Sequence, residues 1–125
     1  MIVGIGVDIM EIERFRKVLE RQGERFVRRV FTASEQEFCC ARRDPVPHYA
    51  VRFAAKEALF KALGTGWAKG IGWLDVEVSR HEREAPCVVL RGQAEKLSAT
   101  LKCRAIHISL SHSHESAIAI VILES

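Results

Sequence analysis

Residues 117–123 read AIAIVIL, an unbroken apolar run rich in β-branched side chains. Such a run closing the chain predicts a buried strand. Just before it, Ile106, Ile108 and Leu110 alternate with His107, Ser109 and Ser111. That period of two predicts a strand with one apolar and one polar face, joined to the last strand by a polar turn from His112 to Glu115. At the other end of the chain, residues 2–7 (IVGIGV) predict a short strand ending at Asp8.

Between these strands the period changes. From Glu11 on, Ile12, Phe15 and Leu19 recur at spacings of three and four, which predicts a helix. Gly23 breaks or bends it, and Phe26, Val27 and Val30 carry a second short apolar face. Ser34 with Glu37 fits a capping box, opening a helix to about Arg43 that Asp44-Pro45-Val46-Pro47 stops. His48 to Leu63, rich in Ala, Lys, Glu and Leu, predicts a long helix ended by Gly64. Leu74, Val76 and Val78 alternate with polar residues, and Cys87 to Leu90 follows a polar turn, so the two segments predict a hairpin. Ala94, Leu97 and Leu101 place a helix within residues 92–102. The order is β-α-α-α-β-β-α-β-β, an α+β fold in which a mainly antiparallel sheet packs with helices. At 125 residues the chain suits one domain, 1–125. The acidic residues Asp8, Glu11 and Glu13 rule out a signal peptide, and no run reaches membrane-spanning length. A cytoplasmic protein without membrane association is expected. Its four cysteines, with Cys39 and Cys40 adjacent, lack the spacing of a zinc or redox site.

Several chemistries are excluded by pattern. Gly4-x-Gly6 lacks the third glycine of a dinucleotide fingerprint, because position 9 is Ile9, so close backbone packing is the better reading. No P-loop and no hydrolase nucleophile elbow occurs. Asp8, at a strand end, is either a helix cap or a metal ligand at a site rim. Glu57 and Lys61, four apart, share one helix face, either as an exposed ion pair or as paired functional groups. The polar face His107-Ser109-Ser111 is either solvent-exposed or a phosphate-binding surface. Residues 14–29 carry Arg14, Arg16, Lys17, Arg21, Arg25, Arg28 and Arg29 against Glu20 and Glu24, a local surplus larger than the whole-chain +3. Arg14, Arg21, Arg25 and Arg28 fall on one side if Gly23 does not turn the helix far. That side is either a solvated face or a dock for an acidic partner. A nucleic-acid partner is disfavoured by 7% aromatic residues, the absence of an RNP-like strand and the modest total charge.

Three blocks together resemble the small 4′-phosphopantetheinyl transferases of holo-[acyl-carrier-protein] synthase type. They are GIGVDIMEIERF at 4–15, RFAAKEALFKALGTG at 52–66 and HISLSHSHESAIAIVI at 107–122, in the family's order and spacing. The resemblance implies the transferase fold and the transfer of 4′-phosphopantetheine from coenzyme A to a serine of apo-acyl carrier protein. Adenosine 3′,5′-bisphosphate would be released, in the service of fatty acid biosynthesis. Asp8 and Glu57 match magnesium ligands, where a hard cation would neutralise the pyrophosphate and polarise the phosphorus. Lys61 matches the lysine on the pyrophosphate, and Glu57 is a candidate to accept the serine proton. Arg52 and His107 match residues at the 3′-phosphate of coenzyme A, with Arg43 a further candidate. Gly64, Gly66 and Ser111 lie along the cofactor path, and His112 matches a histidine near the site. Pro86 matches a turn residue flanking adenine, although the family's Gly-Lys-Pro-like turn is here Arg83-Glu84-Ala85-Pro86. Arg14, Arg21, Arg25 and Arg28, with Phe26 beside them, become candidates to dock the acidic carrier protein. The resemblance also implies a homotrimer with its sites shared between subunits. An inert carrier-binding module is disfavoured because Asp8, Glu57 and Lys61 are all present.

Overall fold

A computed structural model describes residues 1–64, 70–80 and 84–125. The apolar run at the chain end forms β5 (Ser116–Glu124), the middle strand of a three-stranded antiparallel sheet. Its neighbours are β1 (Ile2–Glu11) and β4 (Ala105–His112). The strand expected to end at Asp8 runs on to Glu11, because β5 is long enough to pair with it as far as Ser116. The remaining elements are α1 (Ile12–Val30), α2 (Ala33–Cys40), α3 (Pro45–Leu63), a 3₁₀ turn (Trp73–Asp75), the hairpin β2 (Val76–Ser79) and β3 (Cys87–Leu90), and α4 (Gly92–Thr100). This is the α+β order and antiparallel pairing expected from the pattern. No helix among the described residues is long and apolar enough to cross a membrane.

The sheet has two unlike faces. Ala117, Ala119, Val121 and Leu123 are buried on the inner face, the last three clustered with Ala54, Ala58 and Ala62 of α3. This small-residue packing lets helix and sheet backbones lie close. A second cluster forms where α1, α2 and the first half of α3 meet, around Phe15, Phe26, Phe31, Tyr49 and the half-buried Phe53. On the outer face, Ile5, Val7 and Ile9 of β1 are 61, 51 and 63% exposed. They pair in register with Ile122, Ile120 and Ile118 of β5, which in turn face His107, Ser109 and Ser111 of β4.

Local boundaries differ from expectation for identifiable reasons. The capping box opening α2 is Thr32 with Glu35, two residues earlier than Ser34 with Glu37: Glu35 N–H donates to Thr32 Oγ1 at 3.2 Å, and Thr32 N–H to Glu35 Oε1 at 2.8 Å. Asp44-Pro45 starts α3 instead of only stopping α2, since Asp44 accepts from Val46 N–H and Pro45 occupies the first turn, where a missing N–H costs nothing. Leu74 is in the 3₁₀ turn and 46% exposed, not in the strand. Helix α4 ends at Thr100, and Lys102 exits with a positive φ of 59°. Gly23 bends α1 sharply, with φ 64° and ψ −151°.

Candidate active site

Two glycines set the distance between β1 and α3. A Cβ on Gly6 would overlap the carbonyl oxygen of Ala58, and one on Gly4 that of Ala62. The glycine pair is therefore a packing device: two strand residues lie against two residues one helical turn apart. The next inward-facing strand residue, Asp8, meets the Glu57–Lys61 face of the helix. Lys61 Nζ donates to Asp8 Oδ1 at 2.9 Å and to the Val7 carbonyl at 3.1 Å. Of the two readings left open for Glu57 and Lys61, the ion pair between them is not what forms; Lys61 pairs with Asp8. Glu57 stands beside this pair. Burial first, and the Asp8 carboxylate second, push its carboxyl above the ordinary value, against the pull of Lys61.

Two carboxylates close enough to repel, with one ammonium between strand and helix, form a site that a cation and a phosphate would both stabilise. Among the described residues no group of three or more His, Cys, Asp or Glu gathers as a metal cage. The donor set fits a hard cation that keeps waters or phosphate oxygens as its other ligands, as magnesium does.

The other candidate residues lie elsewhere. His107, Ser109 and Ser111 are exposed on the outer face, whereas Asp8 pairs in register with the buried Ala119 on the inner face. His107 Nε2 meets Glu124 at 3.1 Å. Within one chain the sheet itself separates His107 and Ser111 from Asp8, Glu57 and Lys61. Gly64 closes α3 in the left-handed region, with φ 78°. Pro86 is half-buried ahead of β3, while Gly66 and Arg83 lie outside the described residues.

Arg52 is only 2% exposed. Its Nη1 donates to the His48 carbonyl at 3.2 Å, and its Nε has no partner among the described residues. Its guanidinium carbon lies 4.2 Å from the Phe38 ring centroid, and that of Arg42 lies 4.0 Å from the same ring. His48 packs edge-on against Phe38 at 6.0 Å and against His112 at 5.5 Å. A cavity of about 580 Å³ opens here, lined by Arg16, Arg42, Arg43, His48, His112 and His114 among others. Phe38 and His48 escaped the sequence reading, although His48 sits one turn from Arg52 and so shares its helix face.

The basic face of α1 does not stay whole. The bend at Gly23 changes its phase, so the single row expected from Arg14, Arg21, Arg25 and Arg28 is split. Arg21, Arg25 and Arg29 line one shallow cavity. Arg14 lines a different, largely apolar cavity of about 460 Å³ with Met10, Phe15 and Val18. Arg28 pairs with Glu24 at 2.8 Å and borders a third cavity, with Cys40 and Tyr49. Phe26 reaches both of the first two cavities, but at 8% exposure it is mainly a core residue.

Comparison with known proteins gives a consistent result. The family model described as the 4′-phosphopantetheinyl transferase superfamily matches residues 4–121. A holo-[acyl-carrier-protein] synthase of Maridesulfovibrio salexigens is 44% identical over 124 residues, covering 99% of each chain. A Bacillus anthracis holo-(acyl-carrier-protein) synthase solved in complex with CoA (3′,5′-ADP) superposes with a TM-score of 0.81 at 38% identity, over 100% of this chain and 98% of that one. The Neisseria meningitidis holo-[acyl-carrier-protein] synthase superposes with a TM-score of 0.89 at 29% identity, over the whole of both chains.

Proposed function

The chain belongs to the 4′-phosphopantetheinyl transferase superfamily, as an enzyme of the holo-[acyl-carrier-protein] synthase group, and from that premise we propose how its own residues carry out the transfer. The observation carrying this reading is Lys61 on Asp8 with Glu57 beside them. Coenzyme A supplies the 4′-phosphopantetheinyl group, and a serine hydroxyl of the apo-carrier protein attacks its phosphorus. Glu57 accepts the serine proton, directly or through water. Lys61 leaves Asp8 for the pyrophosphate and stabilises charge on the departing adenosine 3′,5′-bisphosphate. Asp8 and Glu57 would hold magnesium, which when bound neutralises the pyrophosphate. Arg52, a buried cation with unspent donors, contacts the 3′-phosphate of the nucleotide.

The apolar outer face supports a homotrimer. Three exposed side chains on β1 and their partners on β5 form a stripe that a second copy would cover, with His107 and Ser111 along its border. Assembly then explains why cofactor-contacting candidates lie on opposite faces of one sheet: the outer-face residues serve a neighbour's site. Free thiols at Cys39, Cys40, Cys87 and Cys103 suit a cytoplasmic setting. Arg14, Arg21 and Arg25 dock the acidic carrier protein that feeds fatty acid synthesis. Arg21→Glu should raise KM for the carrier and weaken its salt dependence.

The test is incubation with apo-carrier protein, coenzyme A and magnesium. The carrier should gain one phosphopantetheinyl group as adenosine 3′,5′-bisphosphate appears, and a chelator should stop both. An unmodified carrier would overturn the reading, and turnover indifferent to the chelator would overturn its metal part.

A further inference from the structure

Arg52 is a buried guanidinium with no carboxylate partner among the described residues. The carboxylate that acts on it, Glu35, is already held by Lys56 at 2.7 Å, and Arg42 and Arg80 add further positive charge. A buried cation in this state needs a compensating group. Phe38 supplies part of it: its ring lies within about 4 Å of both the Arg52 and the Arg42 guanidinium carbons. An aromatic face attracts a cation through its quadrupole. Unlike a carboxylate, it takes up none of the N–H donors, so the forks stay free for a phosphate.

We propose that Phe38 is a positioning residue: it holds Arg52 and Arg42 together so that both can bind one phosphate of the nucleotide. His48 completes the support, accepting from Arg52 through its carbonyl while its ring packs against Phe38. Arg42 and His48 also line a neighbouring cavity with Arg16, Arg43 and His112, where the carboxylates Glu13 and Asp44 are engaged by Arg16. The inference rests on the reading of Arg52 as a contact for the 3′-phosphate of coenzyme A.

The test compares coenzyme A with 3′-dephospho-coenzyme A, which lacks one phosphate, in wild type and Phe38→Leu. The preference for coenzyme A should narrow by about 3- to 30-fold in the variant, the range of a desolvated cation–π contact. The loss should fall on KM, with kcat within about 2-fold, and Phe38→Tyr should keep the wild-type preference, since both aromatic faces attract cations. An unchanged preference in Phe38→Leu would overturn the proposal. Should Phe38→Leu fail to fold, Phe38→Met, which keeps the bulk and loses the aromatic face, should narrow the preference in the same way, and an unchanged preference there overturns the proposal. Wild type inactive with coenzyme A would overturn the transferase reading itself.

Discussion

Replacing Lys56 by methionine should destabilise the fold by about 3–5 kcal/mol, the cost of breaking a buried ion pair. The side chains of Lys56 and Glu35 are both fully buried and 2.7 Å apart. The ammonium spends its three protons on Glu35, the Val30 carbonyl at 2.6 Å and the Trp73 carbonyl at 3.2 Å. Glu35 in turn accepts from Thr32 N–H at 2.8 Å and Val78 N–H at 2.9 Å. The pair thus ties the end of α1, the start of α2, α3, the 3₁₀ turn and β2 to one point. Its direct attraction is about 6 kcal/mol at an effective dielectric of about 20, which desolvation of both ions largely offsets. Methionine fills the volume but leaves the Glu35 carboxylate buried without a counter-charge. With a urea m-value of about 1.5 kcal/mol/M, the unfolding midpoint followed by circular dichroism should fall by about 2–3 M. The double variant Lys56→Met with Glu35→Gln should recover part of that loss, because no uncompensated charge remains. A cost below about 1 kcal/mol for Lys56→Met, or a double variant as unstable as the summed singles, would show that the buried pair does not hold these elements together.

Three further outcomes are expected. Gly6→Ala should lower the urea midpoint, at a cost of about 1–3 kcal/mol or more, because the added methyl meets the Ala58 carbonyl backbone; an unchanged midpoint would contradict the packing argument. The Arg16 guanidinium holds the Asp44 carboxyl below its ordinary value. Its contribution is therefore present above the unfolded-state pKa of about 4 and lost as pH falls through the folded-state value. With Asp44 and Arg16 side chains 47 and 32% exposed, solvent screening limits it to about 0.5 kcal/mol. Wild type should exceed Asp44→Asn in stability near pH 7 and converge with it near pH 3 (roughly one unit below the unfolded pKa). Ile120→Asp should shift the mass in light scattering from that of the proposed trimer to that of a monomer, and a mass unchanged from wild type would show that the outer sheet face is not a subunit contact.

The parts legible in the sequence are those where local pattern and tertiary packing agree. The AIAIVIL run, the alternation around Ile108 and the composition of α3 each pointed to the element observed. Boundaries went astray where two signals overlapped: Thr-x-x-Glu and Ser-x-x-Glu both occur before α2, and Asp-Pro reads equally as a stop and a start. The Glu57–Lys61 spacing was legible, but the partner of Lys61 was not, since Asp8 lies 53 residues away and reaches it only through the glycine packing. The arginine row was expected only if Gly23 did not turn the helix far, and the size of that turn is not legible in the sequence. Lys56 and Arg52 look like surface charges in sequence; their burial depends on α2, which no local period reports.

The proposed assignment of phosphopantetheinyl transfer to Asp8, Glu57 and Lys61 can be checked on the carrier itself. Its most direct test is the mass of apo-carrier protein after incubation with coenzyme A, magnesium and either wild type or Glu57→Gln. Wild type should add one phosphopantetheinyl group, and the folded variant none over the same period. A carrier modified at the wild-type rate by Glu57→Gln, or left unmodified by wild type, would contradict it.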